Sequence, residues 1–139
     1  MKLNPYLMFN GQCEQAFKFY EQCLNGKITA MMTYAEAPDP AMVEQTPPEW
    51  RSKIMHTSLK FADQELMGSD SPPDYYEAAK GFSVSITLND PVEAERIFHT
   101  LAENGTVRMP LQQTFWAHRF GMLVDQFGTP WMINCEHAA

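Results

Sequence analysis

Residues 83–102 read SVSITLNDPVEAERIFHTLA, and the fold turns on how this stretch is parsed. Ser83 to Leu88 alternate hydroxyl-bearing and apolar side chains, the period-two pattern of a half-buried strand with Val84, Ile86 and Leu88 on one face. Asp90-Pro91-Val92-Glu93 then opens a helix, with an acceptor at the cap, Pro in the first turn and Glu three residues on. Ala94, Ile97, Phe98, Leu101 and Ala102 recur at helical spacing as its buried stripe. The same order stands near the start of the chain. Pro5–Gly11 leads into Gln12–Leu24, and Ala16, Phe19 and Tyr20 share one common offset from Ala94, Ile97 and Phe98. The first stripe is Ala16, Phe19, Tyr20 and Leu24. Both helices close on Asn-Gly, at Asn25-Gly26 and Asn104-Gly105, where glycine is expected to take a positive φ.

A repeated supersecondary unit is the strongest organising signal a sequence can carry. After each helix come strands: Ile28–Tyr34, Ile54–Ala62 and Glu65–Ser69 in the first half; Thr106–Met109, Thr114–Val124 and Thr129–Cys135 in the second. Each final pair is joined by a turn carrying Asp-Gln, at Asp63-Gln64 and Asp125-Gln126. The reading is one α+β domain over 1–139, built of two tandem βαβββ modules at about 1–70 and 81–137. Two long irregular segments remain. Residues 35–53 contain four prolines and a short helix at Pro40–Gln45; residues 70–80 carry Pro72, Pro73, Tyr75 and Tyr76. Loops of this length are lids, binding loops or plain surface connections.

The bulk numbers narrow the function classes without choosing one. A chain of 139 residues with 45% hydrophobic content builds a genuine core. No apolar run is long enough to span a membrane, and the N-terminal stretch MKLNPYLMFNG turns polar too soon for a signal peptide. Cys13, Cys23 and Cys135 are an odd number without CxxC spacing, which points to reduced thiols in the cytoplasm. A net charge of −7 argues against nucleic-acid backbones and anionic lipid as partners.

Three segments carry a family resemblance that covers nearly the whole chain. They are PYLMFNGQCEQAFKFYEQCLNG, HTSLKFADQELMGSD and QTFWAHRFGMLVDQFGTPWMIN, the last quite specific. The chain resembles the PhnB-like branch, labelled 3-demethylubiquinone-9 3-methyltransferase-like, of the glyoxalase/bleomycin resistance/dihydroxybiphenyl dioxygenase (vicinal oxygen chelate) superfamily. The resemblance implies paired modules whose mixed sheet forms a cup, homodimers, a small substrate in the cup and, in many members, a divalent metal. The superfamily places His or Glu on the first and last strand of each module. Counted from shared landmarks, those positions fall here on Pro5, Ser83, near Gly68, and Met132, none a strong donor for a hard divalent ion. No metal or other cofactor is therefore expected; a divalent ion in a relocated site is the alternative.

The same alignment assigns faces. If Ser83 points into the cup, so do Ser85 and Thr87. Core-seeking Leu59 and Phe61 leave His56, Ser58 and Lys60 on the opposite face of their strand. Matching the two Asp-Gln turns carries the parity of His56 into the second module, so Trp116, His118, Phe120 and Met122 are expected to face the cup, with Met132, while Trp131 and Ile133 join the core. His56 and His118 are the candidate catalytic residues, since imidazole titrates near neutrality; a plain hydrogen bond to a neighbour is the alternative for each. Trp116 and Phe120 could stack on a planar ligand or simply fill space. Cys135-Glu136-His137 reads as tail rather than chelate. Three functions stay in play: metal-free binding of a small apolar or aromatic molecule, with Ser58, Ser83, Ser85, Trp116, Phe120, Met122 and Met132 as contacts; a lyase, isomerase or dioxygenase using His56 and His118; and methyl transfer. Against methyl transfer, Gly11 stands alone where a Gly-rich turn would be needed. Lys60 and Arg119 are too few to bind a phosphonate.

Overall fold

The computed structural model describes residues 1–136 and resolves into two units, Met1–Ala78 and a second beginning at Ala79. The first contains β1 (Tyr6–Phe9), α1 (Cys13–Leu24), β2 (Lys27–Thr33), the short helix α2 (Pro40–Gln45), β3 (Ile54–Phe61) and β4 (Gln64–Asp70). Its sheet has the order β1-β4-β3-β2, with β1 parallel to β4 and the other pairs antiparallel. The second contains β5 (Val84–Leu88), α3 (Pro91–Ala102), β6 (Thr106–Gln112), β7 (Arg119–Val124) and β8 (Pro130–Cys135). Its order is β5-β8-β7-β6, with β5 parallel to β8. Each half is thus the βαβββ unit expected from the repeat.

Each helix covers one face of its own sheet. Cys13, Ala16, Phe17, Tyr20 and Cys23 bury completely, with Phe17 set edge-on to Phe9 at 6.0 Å and to Tyr20 at 5.6 Å. The expected stripe held Phe19 and Leu24, but both are only half-buried. Phe17 replaces them because it drops onto Gly68 of β4, where a Cβ would lie 2.7 Å from the Phe17 ring. In the second unit Ala94, Ile97, Phe98 and Leu101 bury as expected, as do Leu123, Trp131 and Ile133.

The helix ends also differ from expectation in an instructive way. Asn25 and Asn104, not the glycines after them, take the left-handed backbone, with φ of 52° and 58°. Asparagine tolerates that region better than most residues. Gly105 is needed for closeness instead, since a Cβ there would sit 2.4 Å from the Val124 carbonyl oxygen. At the start of α3 the Asp90 carboxylate accepts from Val92 N at 3.0 Å, the expected cap. The Gln12 side chain makes no capping bond to α1. There the carboxylate of Asp70, at the end of β4, accepts from Gly11 N at 2.8 Å and Cys13 N at 3.0 Å, and its other oxygen from Ile54 N at 2.9 Å. One buried side chain therefore ties a helix start to two strands.

All three cysteines are buried and unbridged. Burial pushes the Cys13 thiol far above its ordinary range, with the Asp70 carboxylate adding to the effect, and burial raises Cys135 as well. Thiol disfavoured as thiolate is a poor nucleophile. A thiol-reactive disulfide reagent at neutral pH is expected to leave all three unmodified in folded protein and to label three in denaturant. Rapid labelling of folded protein would contradict this packing.

Candidate functional site

The face of each sheet turned away from its helix carries the chemistry. Strand register makes the rows explicit. In the first unit His56 lies opposite Met32 on β2, Ser69 lies opposite Met8 on β1, and Met67 is flanked by Ser58 and Tyr6. Tyr6 Oη stands 3.1 Å from His56 Nδ1, with the two rings stacked at 5.7 Å. A phenol donating to Nδ1 leaves the imidazole proton on Nε2. Met8 is 51% exposed and Tyr6 42%, while Ser69 Oγ donates to Met8 Sδ at 3.5 Å. His56 and Ser58 thus face away from α1, as their parity with Leu59 requires.

Ser58 donates a short hydrogen bond to the carboxylate of Glu65, and that bond, more than the nearby Lys60 charge, holds Glu65 below the usual carboxylate range. A depressed folded value means the bond adds stability above the unfolded pKa and loses it as pH falls through the folded one. Ser58→Ala is expected to return Glu65 toward the ordinary value in a carbon-detected NMR titration. An unmoved titration would show that Ser58 does not hold it.

In the second unit Phe120 and Met122 on β7 share the helix-free face with Met132 and Asn134 on β8 and with Ser85 and Thr87 on β5. Ser83 sits one residue before β5 and lines the same end of the sheet. Trp116 and His118 correct the sequence expectation, because β7 begins at Arg119. Residues 113–118 form a loop closed by Thr114 N donating to the Ala117 carbonyl at 3.1 Å and Ala117 N donating to Thr114 Oγ1 at 3.1 Å. Strand alternation does not apply there. Trp116 still meets Phe120 edge-on at 5.4 Å, but half exposed, and the preceding Phe115 is almost wholly so. The missing length is on β6, which runs to Gln112 rather than ending at Met109. Pro110 is tolerated there because β6 is an edge strand and its register is irregular between Met109 and Gln112. Asn134 Oδ1 is buried without a hydrogen-bond donor among the described residues.

Two of the positions expected to correspond to metal ligands also move. Pro5 precedes β1, and Gly68 lies beneath Phe17 on the helix side. Beside those positions on β1 and β4, the residues that do face away from α1 are Tyr6, Met8, Met67 and Ser69. In the second unit Met132 is on the helix-free face, with Ser85 as its register partner. A thioether, a phenol and hydroxyls are poor donors for a hard divalent ion, and no three of His, Cys, Asp and Glu converge among the described residues. The donor set does not fit the superfamily's divalent ion. His137 of the terminal Cys-Glu-His fragment lies outside the described residues.

Sequence reasoning missed Tyr6, Met8, Met32 and Met67. The signal was present for the first pair: Leu7 and Phe9 seek the core, so Tyr6 and Met8 must face the other way.

Comparison with known proteins places this architecture. The family of 3-demethylubiquinone-9 3-methyltransferase matches residues 1–134. Protein YjdN of Escherichia coli (strain K12) is 35% identical, over 96% of this chain and 95% of that protein. The crystal structure of protein PA1353 from Pseudomonas aeruginosa superposes with a TM-score of 0.89 at 45% identity, covering 99% of both chains. A putative 3-demethylubiquinone-9 3-methyltransferase, PhnB protein, from Bacillus cereus gives a TM-score of 0.79 at 26% identity, covering 97% of this chain and 99% of that one. At the level of fold alone, the fosfomycin resistance protein FosX from Listeria monocytogenes gives 0.67 at 6% identity, covering 99% of this chain and 94% of that one. The chain belongs to the 3-demethylubiquinone-9 3-methyltransferase family, on the α+β fold it shares with fosfomycin resistance proteins.

Proposed function

We propose that this protein binds a small apolar or aromatic molecule on the helix-free faces of its sheets, without a divalent metal. The observation that carries the reading is the composition of those faces. Tyr6, Met8, Met32 and Met67 in the first unit and Phe120, Met122 and Met132 in the second, with Trp116 of the preceding loop against Phe120, are aromatic or thioether side chains, several part-exposed. Apolar walls with a few fixed polar groups are what small-molecule sites are made of. The polar groups here are His56, Ser58, Ser83, Ser85 and the Asn134 side-chain oxygen, which has no hydrogen-bond donor among the described residues. Methionine adapts its shape to a planar guest, and Phe120 offers a ring face. The reading includes a homodimer, which would cover sheet edges left unpaired at β1, β2, β5 and β6. It also places the protein in the cytoplasm, where three unbridged thiols persist; no helix among the described residues is long and apolar enough to cross a membrane.

The test is a thermal-shift screen of one-ring aromatic compounds in the presence of chelator, followed by Phe120→Ala. A binder whose affinity falls about tenfold in that variant fits the loss of a ring contact of about 1.4 kcal/mol. Failure of every compound, or binding only after divalent metal is restored, would overturn the reading.

A second reading rests on one specific observation, the Tyr6–His56 contact. In the other tautomer, with His56 Nδ1–H donating to Tyr6 Oη, Nε2 keeps its lone pair and can take a proton from a bound molecule, the step a lyase or isomerase needs. Deuterium exchange into the methyl group of pyruvate, followed by NMR, tests it. Exchange abolished by His56→Gln, with His118→Gln as the parallel variant, supports the enzyme; exchange at the buffer rate removes it.

Methyl transfer has no support in the residues that would receive S-adenosylmethionine. The backbone amides of Gly11 and Cys13 after β1, which could otherwise cradle such a cofactor, both already donate to Asp70. The sheet is mixed rather than parallel. These residues do not fit the group, and no step is derived through it.

A further inference from the structure

A hollow of about 500 Å3 opens at the turn end of the second sheet, lined among others by Lys80, Ser83, Arg108, Met122, Pro130 and Met132. It brings together expected contact residues with two cations that the sequence did not connect. Lys80 comes from the segment leading into β5. Arg108 comes from β6, within the register irregularity between Val107 and Met109, and has no partner position on β7. A bulge re-aims the side chain it carries, and here that side chain lines the hollow. Neither Lys80 nor Arg108 forms an ion pair among the described residues. No carboxylate side chain is among the described residues that line it. In a chain of net charge −7, the hollow thus sets two cations beside a hydroxyl and two thioethers.

We infer that this hollow takes a small amphipathic carboxylate, its anionic head between Lys80, Arg108 and the Ser83 hydroxyl and its apolar body on Met122, Pro130 and Met132. The inference rests on the binding reading above and narrows its ligand class. Arg108 supplies the planar fork that matches a carboxylate, Lys80 a mobile point charge. The unpaired cations raise the local concentration of anions that the rest of the surface repels.

Benzoate and its neutral counterpart benzyl alcohol distinguish the head from the body. Methionine methyl groups labelled with carbon-13 report the site directly, through Met122 and Met132. Benzoate is expected to shift those two methyls saturably, and benzyl alcohol to bind at least about tenfold more weakly. Arg108→Gln and Lys80→Gln, both at exposed positions, are each expected to weaken benzoate about fivefold, the equivalent of roughly 1 kcal/mol for a solvent-exposed ion pair. Together they should erase the preference for benzoate. Equal binding of both probes would overturn the inference while leaving the wider binding reading intact. Unmoved Met122 and Met132 methyls with benzoate would overturn it too; the thermal-shift screen then decides the wider reading separately. Phenylphosphonate is the third probe, and tighter binding than benzoate would overturn the assignment to a carboxylate.

Discussion

Asp70→Ala is expected to lower stability by about 3–5 kcal/mol and the melting temperature by roughly 10–20 °C. The side chain is 1% exposed and accepts from three backbone amides: Gly11, Cys13 and Ile54. Truncation leaves those amides without their acceptor, and each buried orphan costs about 1–3 kcal/mol before water or relaxation recovers part of it. Asp70→Asn separates geometry from loss of the acceptor. It keeps one oxygen for Gly11 and Cys13 but sets an amide group against Ile54 N, so a cost of about half is expected. Calorimetry checks both. A loss below about 1 kcal/mol for the alanine variant would mean that water replaces the carboxylate and that α1 is not tethered through it.

The second large effect comes from a glycine. Gly121→Ala is expected to destabilise by about 3 kcal/mol, at the upper end for overpacking a filled core. A Cβ at Gly121 would lie 2.6 Å from the Phe98 ring and 3.0–3.1 Å from the backbone of Leu111 on β6. The ring can shift a little, but backbone cannot yield cheaply. Adding Phe98→Leu to Gly121→Ala should recover about 1 kcal/mol relative to the sum of the single changes, since the two sites share one contact. Urea titration of the four proteins measures this coupling. Strict additivity would contradict a direct Phe98–Cβ clash.

These two positions show what the sequence discloses and what it withholds. The repeat of strand and helix was legible because periodicity is local: Val84, Ile86 and Leu88 alternate, and Ala94, Ile97, Phe98 and Leu101 keep helical spacing. The faces of β3 were legible too, because Leu59 fixes the parity of His56 and Ser58. Asp70 as the cap of a helix far from it in sequence was not legible, because no local pattern announces a partner so distant. Strand parity does not extend to Trp116 and His118, because Thr114 and Ala117 close a turn there and the strand is not continuous. The end of β6, expected at Met109, lies at Gln112 because Pro110, a strand breaker inside a sheet, is harmless at an irregular edge. For the same reason Arg108 could not be placed beside Met122 and Met132: a bulge shifts register by an amount that sequence alone does not give. The Tyr6–His56 contact depended on β4 standing between β1 and β3, a consequence of the parallel pairing of β1.

The central claim is that the helix-free faces bind a small molecule and need no metal to do so. Its most direct test is a methionine-methyl NMR titration of chelator-treated protein with one-ring aromatic compounds, benzoate among them. The account predicts saturable shifts at Met122 and Met132, or at Met8, Met32 and Met67, with buried Leu and Ile methyls unmoved. No shift at any of these methionines, or shifts only after a divalent ion is added, would contradict it.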